Sequence, residues 1–349
     1  MAAILADRAA PGDPRALRPA RGAASIAAVT ELDMALVRDA RRALDGRIRR
    51  TPIEASPALS DAAGAPVFLK LEALQLTGSF KIRGAWFVLS RLSADERRRG
   101  IVTCSAGNHG KATARVAREL GIPAEIHVPR DVDPAKFQAI VALGAQVVRS
   151  DFEGYDDTER LARAAAAQSG RPFLSAFDDA CILAANGGTI AAEVVEDCPE
   201  ARSFLLPVGG GGLSGGFAYY VKTALGDCRV IGCQHEGSPA LALSLARGEA
   251  VTTLPAYPTT AGGLEGGIGR IGFAALRTRV DRVALLGEAE IFDAVRFMLE
   301  HHQYLIEPSA AVVVAAILTG KAGRLESPAV AVLSGRNVAL STVRRILAA

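Results

Sequence analysis

From about residue 33 onward, short β-rich runs alternate with helix-length segments. Helical periodicity fills the segments between the runs; Asp33 is placed to cap the first helix, and Pro134 and Glu288 begin later ones. This alternation predicts an α/β protein with a mostly parallel sheet, in which ligands bind beyond the carboxyl ends of the strands. The predicted strands lie at residues 67–71, 101–103, 125–128, 146–149, 204–208, 230–233, 283–286 and 329–333.

Size and charge exclude several classes of protein. The 349 residues suffice for two domains or one large one. A net charge of +3 argues against a nucleic-acid or membrane-surface partner. The longest uninterrupted apolar run, residues 310–318, is far shorter than the roughly 20 residues of a membrane-spanning helix. Residues 1–30 lack sustained periodicity and are expected to form a disordered extension.

The cysteines indicate a reducing compartment. They are odd in number, scattered, and form no CxxC pair, which argues against a disulfide framework and a zinc cluster. We therefore expect a cytoplasmic protein. The cysteines are Cys104, Cys181, Cys198, Cys228 and Cys233.

Four polar or glycine-rich turns lie near the ends of predicted strands and open predicted helices. The third turn begins with the four glycines at 209–212. Consecutive glycines let the backbone approach a ligand, and the start of the following helix adds the positive end of its dipole, so this turn predicts a phosphate site. Neither a GxxxxGK[ST] loop nor a dinucleotide-type GxGxxG followed by an acidic residue is present. The turns are Thr77-Gly78-Ser79-Phe80-Lys81-Ile82-Arg83-Gly84, Ser105-Ala106-Gly107-Asn108-His109-Gly110, Gly209-Gly210-Gly211-Gly212-Leu213-Ser214-Gly215-Gly216 and Ser334-Gly335-Arg336-Asn337.

In order and spacing, these turns resemble the motifs of fold-type II pyridoxal-phosphate enzymes, and more narrowly those of the serine/threonine dehydratases. The resemblance covers about nine-tenths of the chain. It implies a two-domain, tryptophan synthase β-like α/β fold with mostly parallel twisted sheets flanked by helices. The large, cofactor-binding domain would comprise residues 31–79 and 181–349. Residues 80–180 would form a small domain carrying the substrate-carboxylate loop.

The same resemblance assigns roles to the residues of the turns. Lys81 would form a Schiff base with the cofactor aldehyde and then take the Cα proton, and its apolar neighbours should favour the neutral amine. Ser334, the second catalytic residue, would face the pyridine nitrogen. The cofactor-binding residues would be Phe80, Lys81, Asn108, Gly209, Gly210, Gly211, Gly212, Leu213 and Ser334. The substrate-binding residues would be Ser105, Ala106, Gly107, Asn108 and His109.

The implied activity is a pyridoxal 5'-phosphate-dependent ammonia-lyase. It would convert a β-hydroxy amino acid such as L-threonine or L-serine to a 2-oxo acid and ammonia, and the enzyme would be a homo-oligomer, a dimer or a tetramer. Within the family the alternatives are an amino-acid racemase, a β-replacement enzyme, or a dehydratase of a specialised substrate such as phenylserine, 3-hydroxyaspartate or a hydroxyectoine-pathway intermediate. A non-catalytic binding module of the same fold is the alternative of another class.

Three segments depart from the family pattern. Gln234-His235 stands where relatives carry Glu-Pro; because that glutamate is a cation ligand in several relatives, no bound metal is predicted. Ala261-Gly262-Gly263 replaces an Ala-Asp-Gly, so a dehydratase of a specialised substrate remains an alternative. Asn186-Gly187-Gly188-Thr189 replaces a Gly-Gln-Gly-Thr.

Since the chain ends about fifteen residues past Ser334, no regulatory domain of the kind found in feedback-inhibited threonine deaminases is expected.

Overall fold

The computed structural model describes residues 31–105 and 107–349, so the predicted extension at 1–30 and Ala106 lie outside the described residues. Within the described ranges, nine strands form two sheets. The strands are β1 Ile53–Ala55, β2 Val67–Lys70, β3 Ile101–Cys104, β4 Ala124–Val128, β5 Gln146–Arg149, β6 Ser203–Pro207, β7 Arg229–His235, β8 Arg282–Leu286 and β9 Ala329–Val332.

The larger sheet has the order β1-β2-β9-β6-β7-β8 and is parallel except where β1 pairs with β2. The smaller sheet, β3-β4-β5, is wholly parallel. All eight strands predicted from the sequence are present, with boundary shifts of one or two residues. The α/β fold with mostly parallel sheets is thus confirmed, and only the short antiparallel edge strand β1 was missed.

Helices connect the strands as the alternation predicted. The predicted cap at Asp33 is confirmed, because its carboxylate accepts a 2.6 Å hydrogen bond from the backbone N–H of Leu36. The helices are α1 Met34–Leu44, α2 Pro57–Ala63, α3 Lys81–Ser90, α4 Ala94–Arg99, α5 Asn108–Leu120, α6 Pro134–Val141, α7 Tyr155–Ser169, α8 Ala180–Leu183, α9 Thr189–Asp197, α10 Ser214–Leu225, α11 Ala240–Arg247, α12 Arg270–Leu276, α13 Glu288–His302, α14 Pro308–Leu318 and α15 Leu340–Ala348.

The longest apolar run of the sequence forms α14. This helix is buried along nearly its whole length and contributes to the core of the larger sheet. A helix that is apolar on every side needs burial on every side, which this position within the core provides. Among the described helices, none is long and apolar enough to cross a membrane.

A π-helical turn over Ala184–Gly188 links α8 to α9 and crosses the start of α10 at backbone contact distance. A Cβ atom on Gly187 would lie 1.9 Å from the carbonyl oxygen of Leu213, and one on Gly216 would lie 2.0 Å from that of Leu183. Only glycine permits this approach. The crossing fixes the N-terminus of α10, at the end of the loop of four glycines.

Candidate active site

Lys81 is the first residue of α3 and lies where the loops after β2 and β9 meet. Ser79 forms an isolated antiparallel bridge with Gly335, and the N–H of Phe80 donates a 3.2 Å hydrogen bond to the carbonyl of Ser334. The structure therefore brings together two of the predicted turns, which are separated by about 250 residues in the sequence.

The amine of Lys81 points toward the segment that precedes α8. Its Nζ donates a 2.8 Å hydrogen bond to the carbonyl of Ala176 and lies 5.2 Å from the ring centroid of Phe80. Burial lowers the pKa of Lys81 to about 8, although the carboxylate of Glu307 opposes the change. This agrees with the desolvation expected from the apolar neighbours of Lys81.

A buried ion network holds α3 two residues beyond Lys81. The guanidinium of Arg83 contacts Glu72 and Glu193 at 2.7 Å each. Lys70 Nζ lies 2.6 Å from Glu193, so two buried cations balance two carboxylates. Asn186, in one of the segments that depart from the family pattern, accepts a 2.8 Å hydrogen bond from the N–H at position 84. The network leaves the start of α3 little freedom to move.

The four glycines join β6 to α10 and are closely covered. A Cβ on Gly209 would lie 2.2 Å from the carbonyl oxygen of Gly263, and one on Gly210 would lie 2.3 Å from the ring of Phe177. Gly211 has φ +86°, a conformation that favours glycine. Gly212 packs against the same phenylalanine.

Three buried hydroxyls in these turns have no hydrogen-bond partner among the described residues: those of Thr77, Ser79 and Ser214. Ser214 Oγ lies in the first turn of α10, directly after Leu213, and Ser79 Oγ lies two residues before Lys81. Buried polar groups are nearly always bonded, so both sites fit a polar ligand. The start of a twelve-residue helix adds unpaired N–H groups and favours an anion. The residues present thus fit a phosphorylated cofactor.

The predicted substrate-carboxylate loop follows β3 and opens α5. Ser105 is buried, and its Oγ accepts a 3.1 Å hydrogen bond from the N–H of Gly107. The N–H groups of Asn108 and His109 belong to the first turn of α5, where they have no partner within the helix. This geometry can hold a carboxylate.

The imidazole of His109 points away from that loop. Its Nε2 lies 3.0 Å from Thr103 Oγ1, and that hydroxyl donates to the carbonyl of Leu174 at 2.7 Å. The Thr103 hydroxyl donates its only proton to the carbonyl of Leu174, so it must accept the hydrogen bond that it shares with His109. Nε2 of His109 therefore carries the ring proton. Burial, with the nearby charge of Lys81, lowers the pKa of His109 to about 3, and the ring is neutral. Only the backbone of His109 is available to a ligand in this arrangement.

Glu307, which the sequence reasoning missed, lies at the centre of the site. It directly precedes α14; Oε1 accepts a 2.7 Å hydrogen bond from Asn108 Nδ2, and Oε2 accepts a 3.1 Å bond from the N–H of Asn337. Burial raises the pKa of Glu307 to about 7. In the sequence, a glutamate followed by proline indicates only a helix start.

Gln234, the residue in place of the relatives' glutamate, is fully buried. Both its amide oxygen and its amide nitrogen form hydrogen bonds. Oε1 accepts hydrogen bonds from the N–H groups of Leu241 (3.0 Å) and Ala242 (3.2 Å), at the start of α11. Nε2 donates to the carbonyl of Val208, 3.3 Å away and next to the four glycines. Within the described ranges, no group of three or more His, Cys, Asp or Glu residues could hold a metal ion.

Comparisons with known proteins match most of the chain. A family profile described as pyridoxal-phosphate dependent enzyme matches residues 44–335. L-threonine ammonia-lyase of Thermotoga maritima is 37% identical over 314 residues, which span 89% of this chain and 77% of that protein. The processed form of threonine deaminase isoform 2 from Solanum lycopersicum superimposes with a TM-score of 0.83 and 28% identity, covering 90% of this chain and 87% of that one.

A racemase is also among the similar structures. Maize serine racemase superimposes with a TM-score of 0.82 and 28% identity, covering 91% of this chain and 97% of that one. The family profile spans well over half of the chain and includes all four predicted turns up to Gly335. The chain therefore belongs to the fold-type II pyridoxal-phosphate dependent enzymes.

Proposed function

We propose that this chain is an ammonia-lyase that converts a β-hydroxy amino acid such as L-threonine or L-serine to a 2-oxo acid and ammonia. The observation that carries the proposal is the arrangement around Lys81. Its amine, whose pKa is lowered by burial, feels the charge of Glu307 and lies where two of the predicted turns meet. The relative named L-threonine ammonia-lyase supports the same reaction.

We assign the cofactor-holding residues from the predicted turns. When bound, pyridoxal phosphate supplies an electron sink for the negative charge that develops at the substrate Cα. Lys81 would hold its aldehyde carbon, and the N–H groups at 209–212 and of Leu213, with the free hydroxyl of Ser214, would hold its phosphate. Phe80, Asn108 and Ser334 would contact its ring.

Lys81 would then act as the general base. A pKa of about 8 leaves a substantial fraction of the amine neutral near neutral pH, whereas an exposed lysine with a pKa of about 10.4 is almost wholly protonated. Nζ can therefore accept the Cα proton, and catalytic bases work best when their pKa lies near the working pH. The start of α3 holds Nζ in place through the Arg83 network.

The first turn of α5 would bind the substrate carboxylate. The N–H groups of Asn108 and His109 and the Ser105 hydroxyl would hold it, the N–H of Gly107 would join them by turning from Ser105 Oγ, and the helix dipole favours the anion. Ala106, which the sequence predicted to bind substrate, is included among the residues of this proposed carboxylate site. Because the carboxylate is held by backbone groups, the loop accepts any α-amino acid and leaves selection to the groups around the side chain.

A specialised β-hydroxy amino acid is the second candidate substrate. Gly262 stands where relatives carry aspartate, and a Cβ at this position would meet nothing within 4 Å. The missing side chain at this exposed position supports a substrate with a larger side chain, such as phenylserine or 3-hydroxyaspartate. The likeness to maize serine racemase supports racemisation as a side reaction of the same proton transfer.

We further propose a homodimer or tetramer located in the cytoplasm. Leu340 and Leu347 of α15 are 66% and 59% exposed, which favours burial against a second copy. All five cysteines are buried and unpaired, as expected for a reducing compartment. The two separate sheets support a large domain of residues 31–79 and 181–349 and a small domain of residues 80–180.

The deciding experiment measures 2-oxo acid and ammonia from L-threonine, L-serine, phenylserine, 3-hydroxyaspartate and their D-isomers. We expect stoichiometric release of both products from at least one L-isomer. Lys81→Ala should lower turnover by at least about a hundredfold and remove the visible cofactor absorbance. Lys321→Ala, which alters a surface lysine, is the matched control. Racemisation without 2-oxo acid, or no turnover of any member, would contradict the proposal.

A further inference from the structure

Four polar side chains form a chain of hydrogen bonds that ends at the buried carboxylate of Glu307. Lys111 Nζ donates to Asn337 Oδ1 at 2.8 Å, and Asn337 Nδ2 donates to Asn108 Oδ1 at 2.6 Å. Asn108 Nδ2 in turn donates to Glu307 Oε1 at 2.7 Å. We propose that Asn337 is a positioning residue, whose side-chain amide orients Asn108 so that an N–H group of Asn108 faces Glu307.

The orientation of the Asn337 amide is fixed by partners that have only one hydrogen-bonding role. The ammonium of Lys111 can only donate, and it takes Oδ1. The backbone carbonyl of Thr77 can only accept, and it takes a proton of Nδ2 at 2.9 Å. Rotating the amide by 180° would set donor against donor and acceptor against acceptor. The second Nδ2 proton of Asn337 must therefore point to Asn108.

The hydrogen bond from Asn337 sets the orientation of the side-chain amide of Asn108. Because its Oδ1 accepts from Asn337, its Nδ2 is directed to Glu307. In the opposite orientation, the amide oxygen of Asn108 would lie against the carboxylate. Asn337 also donates its backbone N–H to the second oxygen of Glu307 at 3.1 Å, and a side-chain substitution leaves this bond in place.

The charges around Glu307 do not depend on this orientation. Lys81 and Lys136 act on the carboxylate, and Lys111 lies near it with Arg336 beside it. Burial raises the pKa of Glu307, while the bonds from Asn108 and Asn337 oppose the rise. A neutral replacement of Asn337 leaves all these charges in place and therefore isolates the effect of amide orientation.

The test compares Asn337→Leu with Lys111→Met in the cofactor-free protein. The ionisation of Glu307 is followed by infrared difference spectroscopy, and its carboxyl band is identified as the one that Glu307→Gln removes. We expect the midpoint, near pH 7 in the parent protein, to rise by roughly one unit in Asn337→Leu, since Asn108 is no longer held with its N–H group toward Glu307 and its hydrogen bond to the carboxylate is weakened. Lys111→Met should give a smaller rise, because Thr77 still holds the amide and only a partly screened charge is removed.

A shift in Asn337→Leu that is no larger than that in Lys111→Met overturns the proposal. Asn337→Ser, which creates less crowding, replaces Asn337→Leu if thermal unfolding shows that the leucine variant is not folded, and the same comparison applies. The catalytic consequence rests on the proposed function: the pH profile of kcat/KM should move in the same direction as the infrared midpoint. Because the infrared measurement needs no turnover, failure of the ammonia-lyase assay and failure of the positioning role are separate results.

Discussion

Asn108 Nδ2 donates a 2.7 Å hydrogen bond to Glu307 Oε1, joining residues 199 positions apart. Asn108 begins α5, next to the smaller sheet, and Glu307 precedes α14, in the core of the larger sheet. The bond therefore joins the start of α5 to the start of α14. It connects a residue proposed to bind substrate and cofactor to the carboxylate that acts on the charge of Lys81.

The first prediction concerns the amine of Lys81 in the cofactor-free protein. Its labelling by an amine-reactive reagent should be half-maximal near pH 8. Glu307→Gln removes a negative charge that raises the pKa of Lys81, so the midpoint should move to lower pH. Mass spectrometry of the Lys81 peptide measures the midpoint, with the Lys321 peptide of the same digest as the control. A midpoint that moves upward in Glu307→Gln would refute the coupling.

The second prediction concerns stability. The pKa of Glu307 is raised from 4.5 to about 7, so between these pH values the folded protein binds more protons than the unfolded chain. Its free energy of unfolding should therefore fall as pH rises through this window, with Glu307 contributing up to about 3 kcal/mol of the loss. Glu307→Gln cannot ionise and should lack this contribution. Urea unfolding of both cofactor-free proteins at pH 5 and pH 7.5 gives the comparison, and parallel changes would contradict it.

The sequence predicted most of the fold, because the patterns that indicate strands and helices lie within short segments of the chain. Strands such as β6 and β9 are continuous apolar runs, and caps such as Asp33 act within four residues. Strand β1 was missed because Ile53-Glu54-Ala55 is too short to show a pattern. It becomes a strand only by pairing with β2.

For the candidate site, too, the sequence gives only local signals. Contiguous turns such as the one at Lys81 carry their signal within a few residues. Glu307 has no such signal, because its importance arises from the packing of α14 against α5. Asn337 lies in the fourth predicted turn, but its hydrogen bond to Asn108 forms only because the last loop packs against α5. Phe177 is similar: its ring covers Gly210, but nothing near it in the sequence points to the four glycines.

The third prediction concerns the phosphate loop. Gly210→Val should weaken cofactor binding by at least about tenfold, since a Cβ would lie 2.3 Å from the ring of Phe177 and the loop would have to move. Lys222→Ala, which removes a positive charge farther along α10, should have little effect. Titration of both cofactor-free variants with pyridoxal phosphate, followed by fluorescence, gives the affinities. Equal affinities for Gly210→Val and the parent would rule out backbone anchoring.

The fourth prediction concerns divalent cations. Chelation should change activity less than about twofold, because the Gln234 amide already bonds the start of α11 and the carbonyl of Val208, and a neutral amide is a poor ligand for hard cations. The rate is measured after dialysis against EDTA and again after adding Mg²⁺ or Ca²⁺. A many-fold loss that either ion restores would show that other oxygens bind a cation.

The last prediction concerns Ser334 and the choice of reaction. A hydroxyl opposite the pyridine nitrogen leaves that nitrogen unprotonated, which favours loss of the β-substituent over transamination. Ser334→Asp should therefore lower 2-oxo acid formation by at least about tenfold while the cofactor remains bound, as judged by its absorbance. The simpler interpretation, that Ser334 caps the last helix, is wrong, because Ala339 occupies the N-cap position of α15. Ser334 is instead buried, and its carbonyl bonds the N–H of Phe80 beside Lys81. Full activity and an unchanged spectrum in Ser334→Asp would leave the residue without a role at the nitrogen.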